Sequence, residues 1–489
     1  MSYAFRGTYN YLGKYLFSAS IRWDGASQLY KKWCAFPAFS AGWRISDEAF
    51  MKGTRNWLDN LKFRVGYGVT GNANISPYVT TTEVTSSANP LNLGGGRVQT
   101  YILTQNVANN ELTWEKSYNW NFGLDFAILG SRIDGSIEYY MTDTKGVLYD
   151  RPLPTALGLY HAKAPYKKMS NIARIKNKGI EVTINSRNIE TKNFSWSTTL
   201  TFAKNIEKLK EINLGNNVTT SELIALNLFL DEPVNTFYGY KKDGIWQLGQ
   251  EDMAACFGSK PGDVRIDVPG LVWDGSYQYT RDETVTNPET GASETVTKTY
   301  TGAYFKENAN GEREYFTRDH TYGVSTTDKQ ILGHKTPDWT LGFSNQFEWK
   351  DFDLSIMCSM RWGQMINGEL LSYMDDKNQP VCYDYWTPTN PTNAYPRHEI
   401  GASLTGAQKE AMRYVDGSFF KIKNITLGYS LPKSVLNKIN MTRFRIYATV
   451  QNPFIWSKSD MLKGMDPENN ASDKFPLYRT LVFGVNASF

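Results

Sequence analysis

The chain ends on the segment Tyr478-Arg-Thr-Leu-Val-Phe-Gly-Val-Asn-Ala-Ser-Phe489, whose pattern is the clearest indication of the fold class. Every second residue from Leu481 onward is apolar, and the residues between them are polar or small apart from Val482. A period of two predicts a β-strand with one apolar and one polar face. Because that apolar face needs a cover, the strand either closes a sandwich or is the last strand of a barrel whose outer surface contacts lipid.

The same alternation recurs upstream and predicts about thirteen strands in total. It is clearest at 117–128, where aromatic and aliphatic residues alternate with Ser, Asn, Gly, Asp and Ala. The alternation changes phase between Ile422 and Ile425, which predicts a β-bulge, and residues 46–50 could begin a short helix. The other predicted strands lie near residues 3–11, 15–23, 37–45, 61–69, 133–141, 180–184, 194–202, 339–349, 352–362, 420–429, 444–450 and 481–489.

The connections between these strands alternate between long and short. Residues 71–116, 143–178 and 205–337 form long connections, whereas 129–131 and 350–351 form tight turns. Bacterial outer-membrane barrels have short periplasmic turns and long extracellular loops. The sequence therefore predicts an all-β, antiparallel transmembrane β-barrel whose carboxy-terminus is periplasmic. Its first strand would begin outside, so we expect these strands to be part of a larger, even-stranded barrel.

The composition agrees with a barrel rather than with helical membrane spans. The chain has 489 residues, of which 41% are hydrophobic, and no run approaches the roughly 18 apolar residues of a membrane helix. Aromatic residues make up 14% of the chain, as the aromatic girdles of a barrel require. Lys and Arg exceed Asp and Glu by 53 − 49 = 4. This near balance argues against a nucleic-acid partner.

The residue types that carry catalysis or bind metals show no motif. No two cysteines share a C-x-x-C spacing, so a zinc or redox site is not expected, although Cys256 and Cys382 lie in predicted outside loops and could pair. No histidine belongs to an H-E-x-x-H motif, and no G-x-S-x-G sequence occurs. We therefore predict no catalytic residues. The four histidines are His161, His320, His334 and His398.

Several short motifs resemble, in the same order, those of the SusC-like (SusC/RagA) TonB-dependent outer-membrane transporters. Any one of these motifs is weak, but together they cover nearly the whole chain and are specific. The matching segments are Phe36-Pro37 with 40–45, 61–72 (LKFRVGYGVTGN), 110–115 (NELTWE), 177–181 (NKGIE), 261–263 (PGD), 414–429 (YVDGSFFKIKNITLGY) and 464–468 (GMDPE).

The resemblance implies that residues 1–489 are the carboxy-terminal portion of a transporter barrel. Members of the family are about twice this length and carry a signal peptide, a TonB-contacting segment and a plug domain ahead of a barrel of about 22 strands. We therefore expect the plug, the TonB box and the signal peptide to be absent from these residues. The segment 205–337 would be a long extracellular loop insertion.

The resemblance also implies a function and a location. SusC-like proteins import oligosaccharides or peptides across the Gram-negative outer membrane, with a SusD-like surface lipoprotein as a lid. The implied partners are that lipoprotein, the TonB complex through the missing amino-terminal part, the barrel-assembly machinery, outer-membrane lipid and the glycan or peptide substrate. No cofactor is implied. After Pro261-Gly-Asp263 the chain lacks the carboxylate spacing of a calcium loop, so no metal site is expected.

Two sets of residues are candidates for functional contacts. Aromatic residues in the predicted outside loops would stack on sugar rings or pack against the lid, although each could instead only pack its own loop. Alternate residues of the last strand resemble the signal that the barrel-assembly machinery recognises. The loop candidates are Tyr238, Tyr240, Trp246, Trp273, Tyr383, Tyr385 and Trp386, and the assembly-signal candidates are Phe483, Val485, Ala487 and Phe489.

Two other classes of function stay open at this point. If the 489 residues are complete, a barrel without a plug would conduct solutes passively, which predicts a pore. An outer-membrane hydrolase built on the same barrel is the enzyme alternative, although Glu312 and Glu314 near His320 lie in a charged loop whose residues we expect to be solvated.

Overall fold

We describe the protein from a computed structural model that covers residues 1–489. The structure describes all of the chain apart from residues 82–83, 87–90, 94–95, 99–100, 104–106, 154–165, 215–218, 287, 289–290, 369–370, 372–383, 400–402, 440 and 473–476.

One antiparallel sheet of thirteen strands forms the body of the protein, which confirms the predicted fold class and strand number. Each strand pairs with the strands before and after it in this order, and the first and the last strand are the two edges of the sheet in the described residues. The strands are β1 Ser2–Tyr11, β2 Tyr15–Gly25, β3 Trp33–Arg44, β4 Leu58–Asn72, β5 Glu115–Ile128, β6 Ile133–Pro152, β7 Lys167–Glu190, β8 Phe194–Ile212, β9 Trp339–Trp349, β10 Phe352–Trp362, β11 Phe419–Ser430, β12 Arg443–Ser457 and β13 Thr480–Ser488.

The tight turns lie at one end of the sheet, and the three longest connections lie at the other. The link from β9 to β10 is only Lys350-Asp351, whereas the connection from β8 to β9 covers 213–338. The carboxy-terminus lies at the short-turn end, because Ser488 of β13 pairs with Arg443 at the start of β12. By the rule for bacterial barrels, the short-turn end is periplasmic and the long-loop end is extracellular.

Three strands are longer than the sequence pattern predicted. The predicted loop at 143–178 was wrong, because β6 continues to Pro152 and β7 begins at Lys167. Strand β8 also continues to Ile212, past the predicted start of the insertion at Asn205. Where strands extend beyond the membrane, both faces can carry polar residues. The hydrogen-bonded pairing of the strands therefore continues in segments where the sequence no longer alternates between apolar and polar residues.

The smaller local predictions hold. The register of β11 against β12 shifts between Ile422 and Asn424, which confirms the predicted bulge. The predicted short helix near residue 46 consists of two 3₁₀ helices, Ile45–Asp47 and Ala49–Thr54.

Aromatic side chains form two rims on the apolar face of the sheet. Near the extracellular end, Trp362 stacks between Trp339 and Trp456, with ring centroids 6.1 and 6.5 Å apart. Near the periplasmic end, Phe352 contacts Trp349 at 6.1 Å and Tyr429 at 4.7 Å. The two rims are ten residues apart along β9, or about 33 Å along the strand and about 25 Å across a membrane at a tilt of about 40°. This separation matches the apolar band of an outer-membrane barrel.

The opposite face of the sheet is polar and carries ion pairs. Arg64 of β4 donates two hydrogen bonds to Asp125 of β5, both at 2.8 Å, and one at 2.9 Å to Glu138 of β6. Gly123 lies beneath the guanidinium, where a Cβ would come within 2.9 Å of it. An inward-facing polar lattice of this kind is expected of the interior of an outer-membrane barrel.

The connections contain short helices and small sheets. None of the helices among the described residues is long and apolar enough to span a membrane. The helices are α1 Thr220–Leu226, α2 Glu251–Ala255, α3 Gly406–Arg413 and α4 Lys433–Leu436, with further 3₁₀ turns at Thr326–Asp328, Asn437–Ile439, Asp460–Leu462 and Pro467–Asn469. The smaller strands are Val84–Ser86, Leu91–Leu93, Gly96–Val98, Tyr101–Leu103, Thr236–Gly239, Lys241–Ile245, Val264–Asp267, Leu271–Thr286, Ser293–Glu307, Arg313–Phe316, Gln330–His334, Met365–Asn367 and Tyr414–Asp416.

Candidate functional site

The described parts of three long connections at the long-loop end, 213–338, 363–418 and 458–479, pack on one another into a single loop assembly. Their shared core buries apolar residues from all three connections. Tyr395 ties two of them together, because its hydroxyl donates a 2.6 Å hydrogen bond to the carbonyl oxygen of Met461. The core residues are Ile245, Val264, Ile366, Leu371, Trp386, Ala394, Tyr395, Leu404, Met412, Val415, Met461, Leu462 and Ala471.

Three of the predicted contact aromatics are buried inside this loop assembly. Trp246 is 1% exposed, Trp386 is 6% exposed and Tyr240 is 7% exposed. The indole nitrogen of Trp386 donates a 2.8 Å hydrogen bond to the side-chain oxygen of Gln247, which joins the second connection to the first. In this conformation these three rings pack the loops and offer little surface to a substrate or a lid.

The other predicted aromatics are only partly buried. Tyr238 contacts Phe229, with ring centroids 5.2 Å apart. Trp273 meets Tyr304 edge to face at 5.0 Å, and Tyr385 meets the ring of His398 at 4.2 Å. These three residues keep surface on which a ligand could stack. The seventh candidate, Tyr383, lies outside the described residues.

A group of tyrosines that the sequence analysis missed lies on the long hairpin Leu271–Thr286/Ser293–Glu307 and its neighbouring strand. We call this group, Tyr277, Tyr279, Tyr300 and Tyr315, the tyrosine stripe. Tyr277 stacks on Tyr315 at 3.9 Å, and Tyr279 stacks on Tyr300 at 5.6 Å. The spacing Tyr277-Gln-Tyr279 was the available signal, because two residues of separation place both rings on one face of a strand.

Hydrogen bonds to carboxylates of the same hairpin hold two rings of the tyrosine stripe in place. The hydroxyl of Tyr315 donates to Asp274 at 3.4 Å, and the hydroxyl of Tyr300 donates to Glu283. All four rings are partly exposed. Preformed aromatic surfaces with polar tips are suited to ligands that have both apolar faces and hydroxyl or amide groups.

A buried ion cluster anchors the loop 458–479 to the barrel wall. Lys421 of β11 is 1% exposed and donates to Asp466 at 2.6 Å and to Glu468 at 3.0 Å. Lys423 donates to the other oxygen of Glu468 at 2.8 Å. Burial raises the pKa of Glu468, but the hydrogen bonds from Lys423 and Lys421 outweigh this effect and hold that pKa below its ordinary value. The cluster joins the segments 414–429 and 464–468, both of which the sequence analysis singled out as motifs.

The side chains considered for metal or thiol chemistry lie apart from one another or are buried in the described residues. Within them, no group of three or more His, Cys, Asp or Glu side chains is placed to hold a metal ion. Cys256 is a buried free thiol that donates to the carbonyl oxygen of Asp252 at 3.3 Å, and Cys382 is outside the described residues. His320 is exposed and stacks on Phe316 at 5.3 Å.

Comparison with known proteins identifies the family. Residues 2–305 match the model of the family described as TonB dependent receptor-like, beta-barrel. The chain belongs to this family. It is 30% identical over 522 residues to the TonB-dependent receptor P3 of Formosa agariphila, with 99% of this chain and 45% of that receptor covered. It is 27% identical over 507 residues to the TonB-dependent receptor SusC of Bacteroides thetaiotaomicron, with 100% and 44% covered.

The fold has a solved counterpart in the RagAB peptide transporter. The superposition has a TM-score of 0.71 at 20% sequence identity and covers 100% of this chain and 47% of that one. The chain thus spans about half the length of the curated relatives it matches. These relatives are receptors and transporters rather than enzymes, and the chain is a wall segment of an outer-membrane β-barrel, as the motifs implied.

Proposed function

We propose that this chain forms the wall and extracellular loops of an importer that takes up oligosaccharides or peptides across the outer membrane. Energy is supplied by the TonB complex, and a SusD-like surface lipoprotein covers the loop assembly. The observation that supports this proposal best is the family relationship to SusC and, in fold, to the RagAB peptide transporter. The packed extracellular loops support it further, because they provide a rigid surface on which a lid could seat.

The residues proposed to contact substrate or lid are the partly exposed loop aromatics. They comprise the tyrosine stripe together with Tyr238, Trp273 and Tyr385. Stacked tyrosines lose little side-chain entropy when a ligand binds, because they are already held by neighbours and have only two side-chain torsions. The segment 213–338 is proposed to lie outside the membrane. This segment corresponds to the predicted insertion 205–337, except that residues 205–212 belong to β8.

Affinity purification of the tagged transporter from its own outer membrane tests the proposal. A surface lipoprotein should co-purify in a stable complex. Replacing Tyr277 and Tyr315 by Ala should weaken substrate binding or lipoprotein retention by about tenfold, as loss of paired aromatic anchors does. The matched control replaces Gln278 and Thr280 by Ala on the other face of the same strand, and it should leave both properties unchanged. Absence of any lipoprotein, together with unchanged solute binding in the tyrosine variant, would contradict the proposal.

A further inference from the structure

A basic groove lies on the outer face of the sheet at its extracellular end. It has a volume of about 790 Å³ and spans β4 to β8. Five lysines and one aspartate are its charged lining residues. We call the lysines the rim cluster, and they are Lys145, Lys176, Lys178, Lys208 and Lys210.

The strand register places this cluster on the lipid-facing side of the wall. Trp120 of β5 pairs with Met141 of β6, and Met141 pairs in turn with Lys178 of β7. Lys178 pairs with Ile206 of β8. Residues that are directly opposite across neighbouring strands share a face. Lys178 therefore lies on the same face as the exposed Trp120, Met141 and Ile206 and not on the polar interior.

The level of the cluster corresponds to the headgroups of the outer leaflet. The last pair between β8 and β9 is Ala203 with Thr340. In an antiparallel register the next residues, Lys204 of β8 and Trp339 of the extracellular aromatic rim, lie opposite each other. Lys178 lies level with Ile206, and Lys176 with Lys208. Lys178 is thus two residues beyond the aromatic rim, and Lys176 and Lys208 are four residues beyond it, or about 5–10 Å along the membrane normal, whereas Lys145 and Lys210 lie farther out. The layer of headgroups outside the hydrocarbon core has a similar thickness.

Four of the five lysines of the rim cluster have no ion-pair partner among the described residues. Among the described residues, Lys145, Lys176, Lys178 and Lys208 form no ion pair within 4.0 Å, whereas Lys210 pairs with Asp231. The one lining carboxylate, Asp143, is occupied by Arg174, which donates to it at 2.8 and 2.7 Å.

Two of these lysines face each other directly. Lys176 is the partner of Lys208 across β7 and β8, and both are exposed. Like charges that lie directly opposite on a sheet destabilise it unless an anion lies between them. The arrangement is therefore one that a bound anion would stabilise.

We propose that the rim cluster binds the phosphorylated headgroup of an anionic glycolipid in the outer leaflet. The ammonium groups would contact the phosphate, because lysines bind phosphates as point charges. Their aliphatic stems, together with Trp120, Met141 and Ile206, would pack against the upper part of the acyl chains. The barrel would in this way hold one lipid at a fixed position on its circumference.

Native mass spectrometry of the transporter purified from outer membranes tests this inference. The delipidated protein is titrated with phosphorylated lipid A, with dephosphorylated lipid A and with inorganic phosphate alone. We expect a one-to-one adduct with phosphorylated lipid A. Replacing Lys176 and Lys208 by Gln should weaken this adduct by about tenfold or more, since each basic residue near a charged membrane surface contributes to binding.

The matched control is the double substitution of Lys192 and Lys433 by Gln, which removes the same charge from the exposed short-turn end. It should bind lipid as the unmodified protein does. If the double variant at the rim cluster fails to assemble, the single substitution Lys208→Gln serves in its place, with a smaller loss expected. Equal adducts with the dephosphorylated lipid, equal loss in the control, or an inorganic phosphate adduct as tight as that of the lipid would each overturn the proposal.

Discussion

Arg64 and Asp125 form a two-point ion pair across β4 and β5 on the interior face of the barrel wall. Nε of Arg64 donates to one carboxylate oxygen of Asp125 and Nη2 to the other, each at 2.8 Å. The same Nη2 reaches Glu138 on β6 at 2.9 Å. Three neighbouring strands are therefore cross-linked by one guanidinium, which holds two carboxylates close together.

Removing this guanidinium should weaken the wall. Arg64→Met leaves Asp125 and Glu138 facing each other, and we expect a loss of about 1 kcal/mol, because the pair is about a third exposed and screened by water. Arg64→Lys should recover only part of it, since an ammonium cannot form the two-point contact. Gly123→Ala should act in the same direction, because its Cβ would meet the guanidinium at 2.9 Å. The measurement is the temperature at which the barrel loses its folded mobility in detergent gels.

Gly66→Ala is the matched control for the glycine substitution. Gly66 lies on β4 as well, and a Cβ there would meet only the carbonyl oxygen of Phe39 at 4.0 Å. If Gly66→Ala and Gly123→Ala lower the transition temperature equally, the space that Gly123 leaves for the guanidinium of Arg64 does not contribute to stability.

A charge on the lipid-facing side of the wall should cost far more than one on the interior side. Leu124 lies on the face of β5 that carries Trp120, whereas Asn121 faces the interior and donates to Glu138 at 3.2 Å. Leu124→Arg should cost about 2–4 kcal/mol near the middle of the bilayer, while Asn121→Arg gains a carboxylate partner. Arginine at Phe202, Leu341 or Ile356, which we also predict to face lipid, should have a similar cost. Equal outer-membrane levels of the two arginine variants would show that the facing is wrong.

The anchor of the loop 458–479 should be sensitive to pH and to the loss of one lysine. Lys421→Met leaves Asp466 and Glu468 without their buried partner, which should cost about 3 kcal/mol and expose the loop to proteases. Lys463→Met, an exposed lysine of the same loop, should have no such effect.

The pH dependence follows from the lowered pKa of Glu468. A carboxyl group whose pKa is lower in the folded state stabilises that state above its ordinary pKa, and this contribution is lost as the pH falls through the folded value. Cleavage of the loop by an acid-active protease should therefore rise as the pH is lowered below the ordinary value of 4.5. In the Lys421→Met variant the rise should be smaller, because one of the two lysines that hold the carboxyl of Glu468 ionised is gone. If cleavage rises by the same amount in the unmodified protein and in the Lys421→Met variant, the ion pair between Lys421 and Glu468 is not the cause of the pH dependence.

The last strand should act in assembly as well as in packing. Phe483 and Val485 pair with Ala448 and Ile446 of β12, and Phe489 beyond the strand is 85% exposed. A free edge can pair with a template strand, and its apolar residues fix the register. We expect Phe489→Ala to lower the outer-membrane level of the transporter more than Phe347→Ala, which removes a similar apolar area from the wall. Equal losses in the two variants would remove the assembly role of Phe489.

The strands that lie within the membrane could be predicted from the sequence, because lipid on one side and a polar interior on the other impose a strict alternation. Residues such as Trp120 and Asn121 show it directly. The same reasoning failed for Lys176 and Lys178 of β7, since that part of the strand extends to the bilayer surface and carries charge on its outer face. The bulge at Ile422 was visible as a change of phase.

The loop assembly could not be predicted in the same way. The environment of Trp386 depends on Gln247, which is 139 residues away in the chain, so burial of this ring leaves no local pattern. The tyrosine stripe is intermediate: Tyr277 and Tyr279 are adjacent positions on one strand face, but their contacts with Tyr315 and Tyr300 depend on the hairpin register. Sequence therefore identified the wall well and the candidate contact surface only in part.

Energy-dependent uptake distinguishes a TonB-driven importer from a passive pore. Cells that lack the transporter and cells that carry it would be supplied with a panel of labelled oligosaccharides and peptides, and accumulation would be measured with and without a protonophore. We predict that at least one compound accumulates only when the transporter is present and that the protonophore abolishes this accumulation. Uptake that depends on the transporter but is unchanged by the protonophore would contradict the account and would identify a passive pore instead.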